Sequence, residues 1–272
     1  MKKLSVLLIV GVMLLSLAAC AKQVENPVIR LSTTTSVNDS GLMAYLQPEF
    51  EKDTGYKLEI TSAGTGAAIE KGRTGDADVL LVHAKASEEE FIGEGYGEVR
   101  VPFMYNYFVI VGPEADPAGV KGSATAAEAF QKIADAQATF VSRGDDSGTH
   151  KAELKIWSSI GIDPTGQPWY ISVGDSMGKT LTVGDEMGGY VFTDKATYLA
   201  HDNNLSLLLE ETEDMKNTYS LIAISPQRFS DTNYEGAQAF IEWMTSEKAS
   251  KMIESYGVEQ YGEQLFFVIP VE

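Results

Sequence analysis

Cysteine and histidine are scarce in this chain of 272 residues, which holds one cysteine and three histidines. A lone cysteine, Cys20, cannot form an internal disulfide, so no disulfide framework is expected. His83, His150 and His201 are scattered and show none of the ligand spacings of a zinc site. His83 ends a predicted buried strand and is interpreted as a satisfied core histidine. We therefore expect no bound metal cation and no cofactor.

Basic residues are few as well. The chain has 21 Lys and Arg against 39 Asp and Glu, which gives a net charge of −18 at pH 7. An acidic excess of this size argues against a nucleic-acid partner. Charges more than about 8 Å from a site are largely screened at physiological salt, so net charge says little about one buried pocket. We interpret the excess mainly as a contribution to solubility.

Long apolar runs are limited to one, residues 4–17, which contain no charged side chain. The run follows two lysines and ends in the small-residue sequence Leu17-Ala18-Ala19-Cys20. A basic start, an apolar run and a small-residue site are the three parts of a secretory signal peptide. The run is also shorter than the roughly 20 residues that span a bilayer. We expect residues 1–20 to be a signal peptide and the protein to be exported.

Cys20 is the last residue of this small-residue site. The arrangement resembles the lipobox of bacterial lipoproteins, in which the cysteine is lipidated and becomes the new N-terminus. The alternative is a free thiol beside a signal peptide. Residues 21–27 form a short polar segment that would act as a tether. The resemblance implies attachment to a membrane through a lipid anchor alone, on the outer face of the cytoplasmic membrane or in the periplasm.

Strand-like and helix-like stretches alternate along the remaining residues. Apolar stretches end in turn residues and are followed by stretches with helical periodicity. Such alternation predicts an α/β fold with parallel sheets. The predicted strands are 28–32, 57–61, 77–83, 103–111, 139–142 and 219–225, and the predicted helices are 41–54, 67–72, 125–135, 151–160 and 234–246.

Two positions rich in structure-breaking residues predict crossovers between two lobes. Residues 112–117 place Gly and Pro directly after a predicted strand, and Pro226 follows another. The block between them would be a lobe inserted into the first. We therefore predict a first lobe of residues 28–111 plus 223–272 and a second lobe of residues 112–222.

Three segments rich in hydroxyl groups and glycine follow predicted strands, at residues 33–36, 62–66 and 142–149. Each stands at or near the start of a predicted helix, where free backbone N–H groups and the helix dipole favour an anion. Glycine lets a ligand approach the backbone, and Ser or Thr adds a hydroxyl donor. Ligands of open α/β sheets bind outside the carboxyl ends of strands, where all three segments fall. Arg143, forked and permanently charged, suits an oxyanion.

Each segment also has a simpler structural interpretation. Ser and Thr at a helix start are most often caps, and Arg143 could form a surface salt bridge with Asp145 or Asp146. A secreted hydrolase that uses Ser147 and His150 is a remote alternative. Members of a catalytic triad are brought together by folding rather than by adjacency, and the chain has no Gly-x-Ser-x-Gly turn.

Longer stretches around these segments carry a resemblance to a known family. They are Thr33-Thr34-Thr35-Ser36 with Ser40-Gly41-Leu42, Gly64-Thr65-Gly66, and residues 75–84, 142–151, 193–199 and 240–246. On these stretches the chain resembles the tungstate-binding proteins of bacterial ABC transporters, within the type II periplasmic-binding-protein fold. The resemblance covers nearly the whole mature chain. It implies two lobes with an oxyanion bound between them, no enzymatic activity, and delivery by a monomer to the permease of an ABC importer.

The resemblance also implies which residues bind the oxyanion. Thr34, Thr65, Arg143 and Thr149 match oxyanion-contacting positions, and neighbouring hydroxyl and amide groups would assist them. The pair Lys195-Ala196 departs from the Arg-Gly expected at that position. The full predicted ligand-binding set is Thr34, Thr35, Ser36, Thr65, Gly66, Arg143, Ser147, Gly148 and Thr149.

The choice among oxyanions depends on protons. Tungstate and molybdate carry no proton at neutral pH, so their site needs donors and no ionised carboxylate. Phosphate keeps a proton near pH 7 and can use a carboxylate as acceptor. If Asp39, Asp145 or Asp146 faces the ligand, a phosphate-binding protein of the same fold is favoured instead. Tungstate and molybdate share charge and geometry, so only the family resemblance favours tungstate over molybdate.

Overall fold

The computed structural model describes residues 26–270. The predicted signal peptide, Cys20 and all but the end of the predicted tether lie outside the described residues. Within residues 26–270, no helix is long and apolar enough to cross a membrane.

Every predicted strand and helix overlaps an observed one. The strands are β1 (Val28–Thr34), β2 (Lys57–Ala63), β3 (Val79–Val82), β4 (Val101–Gly112), β5 (Phe140–Ser142), β6 (Tyr170–Ser172), β7 (Tyr190–Asp194), β8 (Ser206–Leu209), β9 (Lys216–Ala223) and β10 (Phe267–Val268). The helices are α1 (Thr35–Asp39), α2 (Leu42–Thr54), α3 (Thr65–Thr74), α4 (Lys85–Gly93), α5 (Ala126–Ala136), α6 (Gly148–Ser159), α7 (Met177–Met187), α8 (Lys195–Ala200), α9 (Tyr234–Met244), α10 (Glu247–Ser255) and α11 (Val258–Tyr261), with a 3-10 turn at Glu213–Met215.

The strands form a mixed sheet in the order β2-β1-β3-β9-β4-β7-β5-β6. β1 pairs in parallel with β2 and β3, and β5 pairs in parallel with β6 and β7. β9 runs antiparallel to β3 and β4, and β4 runs antiparallel to β7 and β8. The expectation of parallel sheets was therefore wrong at the centre of the molecule. The reason is that β4 carries the chain out of one lobe and β9 brings it back.

β4 belongs to both halves of the sheet. Its residues 101–107 pair with β9, and its residues 108–112 pair with β7 and β8. Each half packs against its own helices and has its own buried apolar clusters. The molecule thus consists of two lobes joined through β4 and β9. The lobe limits predicted at 111/112 and 222/223 stay a prediction, and the exchange of pairing partners within β4 lies at 107/108.

Aromatic packing holds α6 against the second half of the sheet. Trp157 is fully buried, and its ring centroid lies 4.4 Å from that of Phe130 and 5.2 Å from that of Phe140. Phe130 comes from α5 and Phe140 from β5. Burying three aromatic side chains against one another contributes several kcal/mol and fixes the position of the helix.

Glu153, in the second turn of α6, ties that helix to the end of β5. It is buried and accepts three hydrogen bonds, which come from Ser142 Oγ at 2.7 Å, Tyr170 OH at 2.7 Å and Trp157 Nε1 at 3.2 Å. Ser142 is the last residue of β5. Because both ends of the connecting segment are held, the path of residues 143–147 is defined, and this segment carries the predicted anion-binding arginine.

Glu153 should make stability depend on pH. Burial raises the pKa of Glu153 to about 7 from 4.5, against the opposing effect of its three donors. The folded protein therefore holds this proton where the unfolded chain has lost it, so the free energy of unfolding falls as pH rises from about 4.5 to about 7. Glu153→Gln cannot ionise, and its melting temperature should fall less than that of the wild type between about pH 5 and pH 7.5. Circular dichroism melts with exposed Glu259→Gln as control test this; parallel pH profiles for all three proteins would contradict it.

Candidate functional site

The first lobe contributes a strand end and a helix start. Thr34 ends β1, Thr65 begins α3, and both side chains are buried. Gly64 at the N-cap of α3 has no side chain to cap the helix, so the first amides of α3, including that of Gly66, are left for another partner. Thr33 is not available, because its hydroxyl donates to the carbonyl of Leu81 at 2.8 Å.

The second lobe contributes the connection from β5 to α6. Arg143 follows β5 and is only 7% exposed, and Thr149 in the first turn of α6 is buried. Ser147 is the N-cap of α6, and its Oγ accepts the amide of His150 at 3.3 Å. The cap interpretation is therefore correct for Ser147. The structure gives no such bond for Thr34 or Gly64 at the N-caps of α1 and α3.

Buried polar atoms without a partner cluster at these residues. Within residues 26–270, the buried side-chain nitrogen and oxygen atoms that lack a hydrogen bond are Thr65 Oγ1, Arg143 Nε, Thr149 Oγ1 and Ser220 Oγ. Three of these four belong to the predicted ligand-binding set, and they come from both lobes. An unpaired buried polar group costs roughly 1–3 kcal/mol, so such groups normally have a partner. A ligand that accepts hydrogen bonds would supply one.

The two lobes touch at this cluster. Arg143 Nη2 from the second lobe donates to Thr35 Oγ1 of the first at 3.3 Å. A β-carbon on Gly148, if present, would lie 2.9 Å from Thr65 Oγ1 and would also overlap the ring of His83. The lobes are thus closed over the site, and the absence of a side chain at Gly148 permits this approach.

Asp145 is held within its own turn. One carboxylate oxygen lies 2.8 Å from Arg143 Nε, and the other accepts the amide of Ser147 at 3.1 Å. The Arg143–Asp145 contact is an ion pair at this distance, so Arg143 Nε has a charged partner although it makes no hydrogen bond. The salt-bridge alternative for Arg143 is thus correct about the ion pair with Asp145, but Arg143 is buried and not on the surface. Asp146 is 82% exposed and lies 3.4 Å from Lys151.

The interpretation of His83 as a satisfied histidine is confirmed, because both ring nitrogens have hydrogen-bond partners, but the sequence analysis missed its place beside the candidate site. Its Nδ1 lies 2.9 Å from Asn217 Oδ1, and its Nε2 lies 3.2 Å from Ser36 Oγ. Asn217 uses its amide nitrogen to donate to Asn106 and Tyr219, so its oxygen accepts from His83. His83 Nε2 is then an acceptor for the Ser36 hydroxyl. The sequence signal that could have placed His83 at the site is its position, because it follows β3 at the same carboxyl edge of the sheet as Thr34.

His83 is uncharged at neutral pH. Burial lowers the pKa of His83 to about 4, and the nearby charge of Arg143 lowers it further, against the hydrogen bond with Asn217. The hydroxyl of Ser36 is also 3.1 Å from Thr34 Oγ1. Thr34, Ser36 and His83 therefore form one hydrogen-bonded row at the edge of the first lobe. Ser36 would have to turn away from His83 before it could donate to a ligand.

Lys195, the position where the sequence departs from the expected Arg-Gly, is occupied elsewhere. Its Nζ lies 2.5 Å from carboxylate oxygens of both Glu210 and Glu263. Lys195 thereby joins the start of α8 to the carboxylate that follows β8 and to one shortly before β10. The neighbouring Asp194 accepts from the amide and the hydroxyl of Thr197, at 2.9 Å and 2.7 Å. Both side chains have structural partners.

Known proteins share this architecture. Residues 21–248 match the model of the PBP superfamily domain. The chain is 44% identical to the tungstate-binding protein TupA of Peptoclostridium acidaminophilum, over 97% of this chain and 96% of the relative. It is 45% identical to a putative ABC transporter anion-binding protein of Haloferax volcanii, over 88% of this chain and 71% of the relative. The solved structure of TupA from Desulfovibrio alaskensis G20 superposes with a TM-score of 0.81 at 42% identity, over 90% of this chain and 100% of that one.

The chain belongs to the TupA family of the PBP superfamily. Membership confirms the predicted two-lobed α/β fold and the predicted family. The TupA relatives are binding proteins, so the hydrolase alternative is wrong. The structure shows why Ser147 and His150 do not act together, since Ser147 Oγ accepts from the His150 amide and His150 Nδ1 accepts from the Asp146 amide at 3.0 Å. Among the described residues, no cluster of three His, Cys, Asp or Glu could hold a metal ion.

Gly148 offers a test of lobe closure in this TupA-family protein. Gly148→Ala should weaken oxyanion binding at least about tenfold, or about 1.4 kcal/mol, because the new methyl group would hold the lobes apart at His83 and Thr65. Each lobe should still fold, since alanine is favourable at a helix start with ordinary backbone angles. Calorimetric titration and circular dichroism measure the two effects. The control is Gly93→Ala in α4, where an added β-carbon meets open space; equal affinities of both variants would contradict the proposed closure.

Proposed function

We propose that this protein captures tungstate, or the closely similar molybdate, outside the cell and delivers it as a monomer to the permease of an ABC importer. The observation that carries the proposal is a set of three buried groups between the lobes: the hydroxyls of Thr65 and Thr149, which have no hydrogen-bond partner, and the cation of Arg143, which is paired with Asp145. Two of them stand in the first turns of α3 and α6, where backbone amides add further donors. Relatives named for tungstate or anion binding support the same ligand class.

The carboxylates near the site favour a fully deprotonated oxyanion over phosphate. Both oxygens of Asp145 are committed, to Arg143 and to the amide of Ser147. Both oxygens of the buried Asp194 accept from Thr197. Each carboxylate thus already has partners within its own lobe, and an ionised carboxylate facing a dianion would repel it. We therefore expect no aspartate oxygen within hydrogen-bonding distance of the bound anion.

The two-lobed arrangement explains how binding would favour the closed state. Thr34 and Thr65 lie in the first lobe, whereas Arg143 and Thr149 lie in the second. An anion held by both sets has its full number of donors only when the lobes are closed, so the ligand shifts the population toward closure. The closed form would then be the form that the permease recognises.

A calorimetric panel of tungstate, molybdate, sulfate and phosphate tests the ligand directly. We expect tungstate and molybdate to bind at least about a hundredfold more tightly than phosphate, a difference of about 2.7 kcal/mol. Phosphate binding as tight as tungstate binding would reject the proposal in favour of the phosphate alternative. Sulfate is also a dianion without a proton at neutral pH, so a difference in affinity between sulfate and tungstate reports the effect of anion size and not of charge.

Arg143 supplies the full positive charge of the predicted ligand-binding set. Charge-assisted hydrogen bonds contribute about 1.5–3 kcal/mol. Arg143→Ala should therefore weaken binding at least about tenfold, and Arg143→Lys should recover only part because the forked geometry is lost. Thr34→Ala should cost less, since it removes one neutral donor. Calorimetry on the three variants, with folding checked by circular dichroism, gives the comparison; unchanged affinity in folded Arg143→Ala would leave Arg143 with only its ion pair to Asp145.

The cellular position of the protein follows from its first residues. The basic start, the apolar run and Leu17-Ala18-Ala19-Cys20 support export and a lipid on Cys20. Mass spectrometry of the protein from membranes should show an N-terminal Cys20 carrying acyl chains. Cys20→Ser should release the protein into the soluble fraction without changing oxyanion affinity. An unmodified Cys20 after cleavage would disprove the anchor and leave export intact.

A further inference from the structure

A second cavity lies directly beside the candidate oxyanion site. It has a volume of about 780 Å³, and His83 and Gly148 form part of its wall. These are the residues at which the two lobes touch. Other walls come from α4 and its preceding loop, from α6, and from β4 and β9, which join the lobes. The cavity is thus a part of the cleft that remains open where the lobes are closed.

The walls of this cavity reverse the charge balance of the chain. Five basic residues line it against two acidic ones, Glu213 and Asp214, whereas the whole chain has 21 basic and 39 acidic residues. The lining residues therefore include more basic than acidic side chains, in a protein of net charge −18. The basic residues are Lys85, Arg100, Lys151, Lys155 and Lys216.

Two of these cations are matched by carboxylates outside the cavity. Arg100 Nε lies 2.6 Å from the buried carboxylate of Glu88, and Lys85 lies 3.7 Å from Glu89. The Arg100–Glu88 pair contributes little net field, because its carboxylate is buried and the two charges largely cancel, whereas the exposed Lys85–Glu89 pair is a weak one. Against the two acidic wall residues Glu213 and Asp214, the positive potential of the cavity depends mainly on the three lysines of α6 and β9.

On α6 and β9, the walls nearest to the junction of the lobes, the available cations are Lys151, Lys155 and Lys216. Lys151 lies 3.4 Å from Asp146, a carboxylate that is 82% exposed and well solvated, which makes the pair a weak one. Within the described part of the chain, Lys155 and Lys216 have no ion pair. The ammonium group of Lys216 lies 4.2 Å from the centre of the Tyr105 ring, a contact that leaves its charge uncancelled.

These three lysines extend from the open cavity to the oxyanion site. Lys151 and Lys155 are four residues apart on α6 and so lie on one face of that helix. Lys151 is at the inner end, where its Nζ is 3.7 Å from the position that a β-carbon on Gly66 would occupy. It therefore reaches across from the second lobe to the first amides of α3. Lys155 is exposed and one turn farther from the start of α6.

The charge of the whole protein makes such a path useful. A dianion that approaches a surface of net charge −18 is repelled, and screening leaves about 8 Å over which nearby charges act. Cations on the walls of a cleft focus the field there, and steering of this kind raises association rates by about 10-fold to 1,000-fold. The anion would be drawn in along the lysines and passed to the buried donors.

We propose that this cavity is the entrance vestibule for the oxyanion, and that Lys151, Lys155 and Lys216 accelerate its capture by attracting dianions. The proposal rests on the proposed function of the adjacent site. It assigns the vestibule to the rate of association, whereas Thr65, Arg143 and Thr149 hold the anion after arrival. Lys155 and Lys216 therefore act before the ligand is bound.

The experiment measures association rates of tungstate by stopped-flow tryptophan fluorescence, and independently by trapping radiolabelled tungstate with excess unlabelled ligand. The test variant is Lys155→Gln/Lys216→Gln at about 20 mM and about 200 mM salt. We expect the association rate constant to fall about threefold to tenfold at low salt and less at high salt. The dissociation rate constant should change less than twofold, because neither lysine belongs to the predicted ligand-binding set.

Lys121→Gln/Lys179→Gln is the matched control. It removes the same charge from exposed lysines that do not line the cavity, so any effect of net charge alone appears in both double variants. A loss of association rate confined to the vestibule variant supports the proposal. Equal losses in the two variants, or no loss in either, would overturn the vestibule while leaving the oxyanion site in place. Wild-type protein that binds no oxyanion would overturn the proposed function as well.

Discussion

Hydrogen-bond donors that no acceptor of the protein satisfies are the constraint on which the site depends. A dianion leaves water only if protein donors replace its hydration, and a buried donor remains costly until an acceptor arrives. Thr65 and Thr149 carry such donors at the starts of α3 and α6, and Arg143 adds a buried charge between them. Each lobe alone exposes only part of this set. Closure of the lobes and enclosure of an anion are therefore coupled, because the full donor set exists only when the lobes are closed.

The connection from β5 to α6 shows how the fold prepares that event. Ser142 and Glu153 hold its two ends together, and buried aromatic rings beneath α6 keep the helix in place. Gly144 and Asp146 have positive φ angles, which let the chain turn back so that its amides and Arg143 reach the cleft. Asp145 then braces this turn from inside. A carboxylate next to an anion site is tolerated here because both of its oxygens are already used.

The strands that join the lobes also reach the site. Asn106 on β4 and Asn217 on β9 are hydrogen-bonded to each other, and Asn217 holds the ring of His83. His83 in turn accepts from Ser36. A continuous polar row thus connects the crossing strands with the edge of the first lobe. Because its members are buried and paired, a movement of the lobes about β4 and β9 would have to break or rearrange bonds within this row.

The sequence by itself determined the class of fold and predicted the binding segments. Hydroxyl-rich turns after strands at 33–36, 62–66 and 142–149 predicted one anion site, because the carboxyl ends of neighbouring parallel strands share an edge. Local pattern was enough there, since a strand end and a helix start are set by residues a few positions apart. The nine residues of the predicted set stay a prediction, although the structure places members of it together between the lobes.

Only the tertiary structure decided the direction of the crossing strands and the contacts between the lobes. β9 is antiparallel to its neighbours because the chain returns through it, a fact of connection that no local periodicity records. α7 and β7 were not predicted at all. His83 meets Asn217 across 134 positions, and Lys151 meets Gly66 across the cleft. Their side chains carry no local signal for these roles, because the pairing of β3 with β9 brings the first two together and the closing of one lobe on the other brings the second two together.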